Sequence, residues 1–304
     1  LQMANKPELS IVILNYNTRN LTLDCLASLM KVKDEANFEV ILCDNGSTDG
    51  SIGAIAKEYP EVIIIENNAN LGFAKGNNAA RKIAKGKYVL FLNTDTIVNK
   101  GVLAKTIQYL KDHLDVGGVT CKLVLADGSL DKDARRSFPT PWVSLTHLVL
   151  HLDKLFPKSK LFAQYWYGYA SPDAIQEVDV IQGAYFLTYK KLLDEVGWFS
   201  EDYFLDGEDI DLCWKINKKG YKLIYYPEVF ILHLKGATKG KNKKTQKSTA
   251  SLKEKMKFRM SGVNSMEIFY RKRMWKQYPL FLNCLVILGI KCMKLVRIIK
   301  LILQ

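Results

Sequence analysis

Four apolar runs constrain the chain more than anything else in it. "LSIVILNYN" (9–17), "FEVILCDNGSTDGS" (38–51), "EVIIIEN" (61–67) and "KYVLFLNTDT" (87–96) each hold a run of Val, Ile, Leu or Phe that passes into polar residues. Continuous apolar runs of this length suit strands buried on both faces. Between them, 18–30, 51–59 and 70–86 show helical spacing or helix-bounding glycines. Strands alternating with short helices make an α/β chain with a doubly wound, mostly parallel sheet, and ligands of such sheets collect at the carboxyl ends of the strands.

Further along, 116–124 reads as a strand followed by a turn at Asp127–Gly128, and 178–191 as strand. Residues 208–219 read as a helix ended by Gly220, and 221–236 as two short strands around Pro227. Residues 137–175 are aromatic, contain prolines and show no clear period. The six cysteines form no CxxC pair, so buried reduced thiols are expected.

Charge divides the chain. Lys and Arg total 44 against 31 Asp and Glu. From Lys235 to Arg259 there are ten Lys and Arg against one Glu, and from Ser261 to the end eight against one. The positive excess therefore sits in the last 70 residues, while the first 234 are slightly acidic. The opening residues show no leader pattern, and a cytoplasmic chain is expected.

Each candidate site lies just past an apolar run. Asp44 follows "VILC". A carboxylate accepts hydrogen bonds only, so it suits the N3–H of uracil or thymine; read alone, it equally suits an Asx turn. "NLGFAKGNN" opens a helix with Gly72 and Gly76, whose free N–H groups suit a diphosphate or serve simple helix entry. In "FLNTDT", Asn93 and Asp95 are two apart on an extended segment and point the same way. Such an Asp, with diphosphate oxygens, makes a hard site for Mg²⁺ or Mn²⁺, or else caps the next helix. His233 in "VFILHLKG" is a packed residue unless Asp95 lies across a cleft from it. "FLDGEDIDLCWKINKKG" (204–220) crowds Asp206, Glu208, Asp209 and Asp211 ahead of Leu212, Trp214 and Ile216. Carboxylates are favoured in a first helical turn, which accounts for one or two of them; the density also suits a general base at a cleft mouth.

Taken together, "SIVILNYN", "VILCDNGSTDGS", "NLGFAKGNNAA", "FLNTDT", "IQGAYFLTYKK" and "FLDGEDIDLCWKINKKGY…H" resemble the inverting nucleotide-sugar glycosyltransferases of family 2, and within them the rhamnosyltransferase-like members that build bacterial surface polysaccharide. The resemblance runs from about residue 9 to about 240. It implies a GT-A catalytic domain over 1–240, with a Rossmann-like nucleotide-sugar half (9–100) and an acceptor half (101–240). It implies that Asn15 and Tyr16 line the base pocket, that Asp44 holds the pyrimidine, and that Gly72, Gly76 and Asn93 serve the donor nucleotide. Asp95 and His233 would ligate Mn²⁺ or Mg²⁺. Asp209 of the "ED" pair would be the general base, with Glu208 and Gly183 against the substrates. The chain departs from the pattern at Asn93, where many members carry Asp, so the site has one charge fewer. The implied reaction moves a sugar from a UDP- or dTDP-sugar, such as dTDP-rhamnose, to a saccharide or polyprenyl-linked acceptor. A non-catalytic membrane-associated scaffold with a sugar-nucleotide pocket is the alternative, and Asn93 is the residue that favours it. A Rossmann oxidoreductase would need GxGxxG after the first strand and a nucleotidyltransferase a basic Gly-rich loop; "NYNTRN" is neither.

The tail is expected in two parts: a basic linker or lid over 241–262 and a helical, membrane-associating segment over 263–304. In the latter, Pro279–Ile290 is apolar but too short to span a bilayer. Lys291, Lys294, Arg297 and Lys300 then recur every third residue among Leu, Val and Ile. That pattern suits the anionic inner face of a cell membrane. Nucleic acid is not an expected partner, since the tail shows no recognisable binding fold.

Overall fold

A computed structural model of the chain describes residues 6–235 and 252–302. The first half is β1 (Leu9–Asn15), α1 (Arg19–Met30), β2 (Phe38–Asp44), α2 (Ser51–Glu58), β3 (Ile63–Glu66), α3 (Phe73–Asn78) and β4 (Tyr88–Asn93). β1 pairs in parallel with both β2 and β4, and β2 pairs in parallel with β3. The chain winds outward from β1 through β2 to β3, then returns to the other side of β1. That reversal opens a crevice at the carboxyl ends of β1 and β4, where Tyr16 and the segment Asn93–Asp95 emerge.

The second half extends the same sheet. After β5 (Thr96–Val98) and α4 (Val102–Asp112) come β6 (Val116–Leu125), β7 (Arg135–Arg136), α5 (Pro141–Ser144), α6 (Leu152–Leu155), β8 (Gln176–Glu177), β9 (Val180–Ile181), β10 (Tyr185–Tyr189), α7 (Lys190–Val196), α8 (Glu208–Lys218) and β11 (Lys222–His233). Among the described residues nine strands form one sheet, with β10 antiparallel between β4 and β6 and with β11 parallel to β6. β5 runs antiparallel to the end of β11, setting Thr96 opposite His233. β11 is one strand, where two were expected. It keeps its pairing with β6 through a register shift between Tyr226 and Phe230, which absorbs Pro227.

The core lies on both sides of this sheet. β1 and β4 are almost wholly buried, as their unbroken apolar sequence requires. The four cysteines in apolar or periodic segments, 25, 43, 121 and 213, are buried free thiols. Residues 137–175, unplaced by periodicity, form α5, a π-helical turn Leu145–Val149, α6 and an aromatic layer in which His147 stacks on Tyr165 at 4.5 Å.

α9 (Leu252–Phe269) and α10 (Leu280–Ile302) close the described chain. The helix begins inside the stretch expected as a linker or lid; residues 241–251 of that stretch lie outside the described residues. α9 packs where Gly207 leaves room: a Cβ there would meet Ser265 Cβ at 2.9 Å, and Gly207 has φ +96°. Among the described residues no helix is long and apolar enough to cross a membrane.

Candidate active site

A cavity of about 360 Å³ opens at the crevice over β1 and β4. Of the residues singled out from sequence, Tyr16, Gly72, Asn93, Asp95, Gly183, Glu208, Asp209 and His233 line it. They come from distant parts of the chain, brought together by strand order. Asp95 sits in the turn between β4 and β5, and His233 ends β11. The β5–β11 pairing brings them together, and the Leu234 N–H donates to the Asp95 carbonyl at 2.7 Å. His233 Nε2 lies 3.4 Å from Asp95 Oδ1.

His233 Nδ1 lies 2.8 Å from Asp131 Oδ2, and Lys235 Nζ is 2.7 Å from the other oxygen of Asp131. Burial opposes charge on His233, but the hydrogen bonds and negative charge of Asp131 and Asp95 hold its pKa up at about 9. Burial alone would raise Asp131, yet His233 and Lys235 bring it down to about 2. With Nδ1 engaged by a carboxylate, Nε2 is the nitrogen turned toward Asp95. That is how a carboxylate fixes an imidazole for ligation through its other nitrogen. Asp95 and His233 therefore fit a divalent cation that takes oxygen and imidazole ligands. Among the described residues no group of three or more His, Cys, Asp and Glu is set to hold a metal ion, so the remaining ligands would come from the diphosphate and water.

In the same lining, Glu208 and Asp209 occupy the first turn of α8, behind Gly207. Asp209 Oδ2 is paired with Arg136, and both side chains are about nine-tenths buried. Burial opposes charge on Arg136, but Asp209 and its other neighbours hold the guanidinium firmly protonated. Arg136 carried no signal in the sequence. It reaches the site because β7 pairs with β9 beside α8. Asn45, Asn70, Asp133 and Gln182 also line the cavity and were not singled out, being ordinary polar residues in loops. The crowded carboxylates of 206–211 are thus divided. Asp211 is fully buried and faces away from the cavity lining, bonded to Arg273, Ser200 and Tyr203, while Asp209 stays in the cavity wall.

Three residues expected against the nucleotide stand behind that wall. Asn15 and Asp44 are fully buried and bond each other at 2.6 Å, and the other Asp44 oxygen takes the Ser47 N–H at 2.8 Å. They fix the loop bearing Asn45 rather than lining the cavity. Gly76 is a packing position: a Cβ there would meet Leu14 Cδ1 at 2.5 Å and Asn45 Oδ1 at 2.8 Å. Gly72 does face the cavity. Its φ of +82° and its approach to Phe204, whose carbonyl oxygen would lie 2.2 Å from a Cβ, admit only glycine without strain. At Gly183 a Cβ would press on the Phe73 ring at 3.0 Å.

Comparisons with known proteins give the family and the fold. Residues 10–168 match the model of glycosyl transferase family 2. N-acetylglucosaminyl-diphospho-decaprenol L-rhamnosyltransferase of Mycobacterium tuberculosis is 28% identical over 230 residues, 71% of this chain and 73% of that protein. Rhamnosyltransferase WbbL of Escherichia coli is 26% identical over 208 residues, 66% of this chain and 74% of that protein. Among solved structures, mannosyltransferase PcManGT of Pyrobaculum calidifontis, in complex with GDP-Man and Mn²⁺, superposes with TM-score 0.54 at 17% identity, covering 98% of this chain and 86% of that one. GalNAc-T7 with UDP, GalNAc and Mn²⁺ gives TM-score 0.56, also at 17% identity, over 76% of this chain and 44% of that one. The sheet is thus a mixed, mostly parallel GT-A sheet and the protein a glycosyltransferase: the chain belongs to glycosyl transferase family 2, among its rhamnosyltransferase-like members.

Proposed function

We propose that this enzyme transfers a sugar, with inversion, from a UDP- or dTDP-sugar (dTDP-rhamnose first among them) to a saccharide or polyprenyl-linked acceptor in cell-surface polysaccharide synthesis. The observation that carries the reading is the gathering of Asp95, His233 and Asp209 in the lining of a single cavity. The rhamnosyl transfer and lipid-linked acceptor named for the mycobacterial relative support the sugar and acceptor class.

In this reading Asp95 and His233 hold Mn²⁺ or Mg²⁺, which when bound neutralises charge on the leaving diphosphate. Asn93 and Gly72 lie against the diphosphate side of the donor. Tyr16 and Asn45 meet the base, and the pyrimidine-reading role expected of Asp44 is served from directly behind them, where its oxygens hold Asn15 and the loop bearing Asn45. Asp209 takes the proton of the acceptor hydroxyl. That oxygen forms the new bond at the anomeric carbon as the bond to the diphosphate oxygen breaks on the opposite face. One base and no nucleophile gives inversion. Arg136 orients Asp209, and Gly183 and Glu208 border the sugar. The tail lies on the anionic inner face of the cell membrane, where a lipid-linked acceptor would be found.

The test is a thermal-shift series with UDP, dTDP, GDP and CDP, with and without Mn²⁺, followed by release of nucleotide from the matching sugar donor. A shift with UDP or dTDP that grows with Mn²⁺ is expected. Stabilisation by GDP or CDP alone would overturn the donor assignment.

A further inference from the structure

Beyond the reaction cavity lies a second one of about 500 Å³, between the segment 139–149 and the C-terminal helices. Its walls are almost entirely apolar: Trp142, Leu145 and Leu148 on one side, Met266, Leu285 and Ile290 on the other. Trp142 is 44% exposed and Leu285 59%, so the groove opens to solvent. An open apolar groove this large on a folded chain marks a binding surface.

Both walls lead back to the reaction cavity. Arg136, paired with Asp209, precedes the groove residue Pro139 by three positions. On α9, the Ser265 hydroxyl bonds the carbonyl of Leu205, a reaction-cavity residue, at 3.3 Å, and its neighbour Met266 lines the groove. Between them lies an aromatic floor: Phe138 packs on Trp214 at 4.9 Å and Trp214 on Phe269 at 5.7 Å. Trp214 belongs to α8, the helix that begins with Glu208 and Asp209. The groove thus adjoins the acceptor side, where the general base stands.

We infer that this groove receives the hydrocarbon chain of an amphiphilic acceptor whose polar head lies at Asp209. The inference rests on the transferase reading above and assigns a place in this fold to the chain of its lipid-linked acceptor. A sugar or phosphate would find few partners along these walls, whereas a hydrocarbon chain leaves water on entering them. The Met293 end of the groove is the one nearest the reaction cavity: one turn further along α10, Arg297 donates to the Arg259 carbonyl at 3.0 Å, and a Cβ at Gly262 would lie 3.6 Å from both Arg297 and Asp206, a reaction-cavity residue.

Gly289 lines the groove, and a Cβ there meets nothing within 4 Å, so Gly289→Phe fills the space without displacing backbone. Farnesyl phosphate and methyl phosphate are the probes, and Trp142 emission, taken as the difference from Trp142→Phe, is the readout. Farnesyl phosphate should blue-shift Trp142 in the native chain and in Asp209→Asn. Methyl phosphate should not, and Gly289→Phe should abolish the shift while keeping the nucleotide-induced thermal shift. Transfer to a farnesyl-bearing acceptor should fall at least about tenfold in Gly289→Phe, to the level of a methyl-bearing acceptor. The proposal is overturned if the shift persists in Gly289→Phe, if methyl phosphate produces it too, or if anionic phosphatidylglycerol vesicles without prenyl lipid match it. Failure of the transferase reading would show separately, as absent nucleotide binding and donor turnover with the Trp142 shift intact.

Discussion

His233 Nε2 faces Asp95 Oδ1 at 3.4 Å, and the antiparallel pairing of β5 with the end of β11 holds the two there through backbone hydrogen bonds. Because the ladder sets the separation, the pair does not depend on side-chain packing for its alignment. Asp131 adds the orientation, bonding the far nitrogen of the same ring at 2.8 Å. An acidic residue, an imidazole and a supporting carboxylate thereby form one unit at the rim of the sheet.

Removing that support tests the metal assignment. Asp131→Asn keeps the shape but weakens the fixation of His233, and Mn²⁺ affinity should fall about 10- to 100-fold. Asp95→Asn should remove the Mn²⁺-dependent part of the nucleotide thermal shift. Calorimetric titration with Mn²⁺ in the presence of UDP or dTDP reads both, and unchanged affinity in both variants would assign the cation to other residues.

Asp209, proposed as the general base, has a signature of its own. Asp209→Asn should lower transfer by about 10²- to 10⁴-fold and leave nucleotide binding intact. Arg136→Met leaves the base in place but unheld, so kcat should drop with the donor KM unchanged. The double variant should lose no more than Asp209→Asn alone, because the two act as one unit. Additive losses would mean that Arg136 acts on something other than Asp209.

Asp211 ties the tail to the catalytic helix. Its Oδ1 accepts from Arg273 Nε at 2.6 Å, with Asp211 fully buried and Arg273 about one-fifth exposed. Burial raises the Asp211 pKa, but Arg273 and Ser200 outweigh it and bring it below the ordinary value. A depressed carboxylate stabilises the fold above its unfolded pKa of 3.8 and loses that contribution as pH falls through the lower folded value. Arg273→Met strips the cation and leaves burial dominant, which reverses the sign. The variant should lose about 3 kcal/mol at pH 7 and recover part of that loss at pH 4. Urea midpoints at the two pH values decide it; an equal loss at both would show that the pair does not titrate as described.

Membrane attachment predicts a charge dependence. Lys291→Ser with Lys294→Ser removes two cations of α10, each worth about 1 kcal/mol near an anionic surface. Flotation with phosphatidylglycerol vesicles at low salt should show binding weakened about 30-fold. Vesicles of neutral lipid should bind native and altered chains equally poorly. Equal flotation of both on anionic vesicles would remove α10 from the contact.

Local sequence was enough to place the four parallel strands of the first half, because an unbroken apolar run such as "YVLFLN" has no stable place outside a doubly covered sheet. It also determined the helix 208–218, through its apolar positions and the glycine that ends it, and the position of Asp95 just past a strand and of Asp209 in a first helical turn. What local sequence leaves open is which polar residue faces which. Asp44 and Asn15 look like ligand contacts in the chain and stand one layer behind the cavity, satisfied by each other. Arg136 and Asp131 look like ordinary charges and prove to pair with Asp209 and His233. The four crowded carboxylates read as one cluster until packing turns Asp211 inward to Arg273 and leaves Asp209 in the cavity wall. Strand order, strand pairing and the docking of α9 decided these outcomes, and they depend on contacts between segments far apart in the chain, which no local pattern encodes.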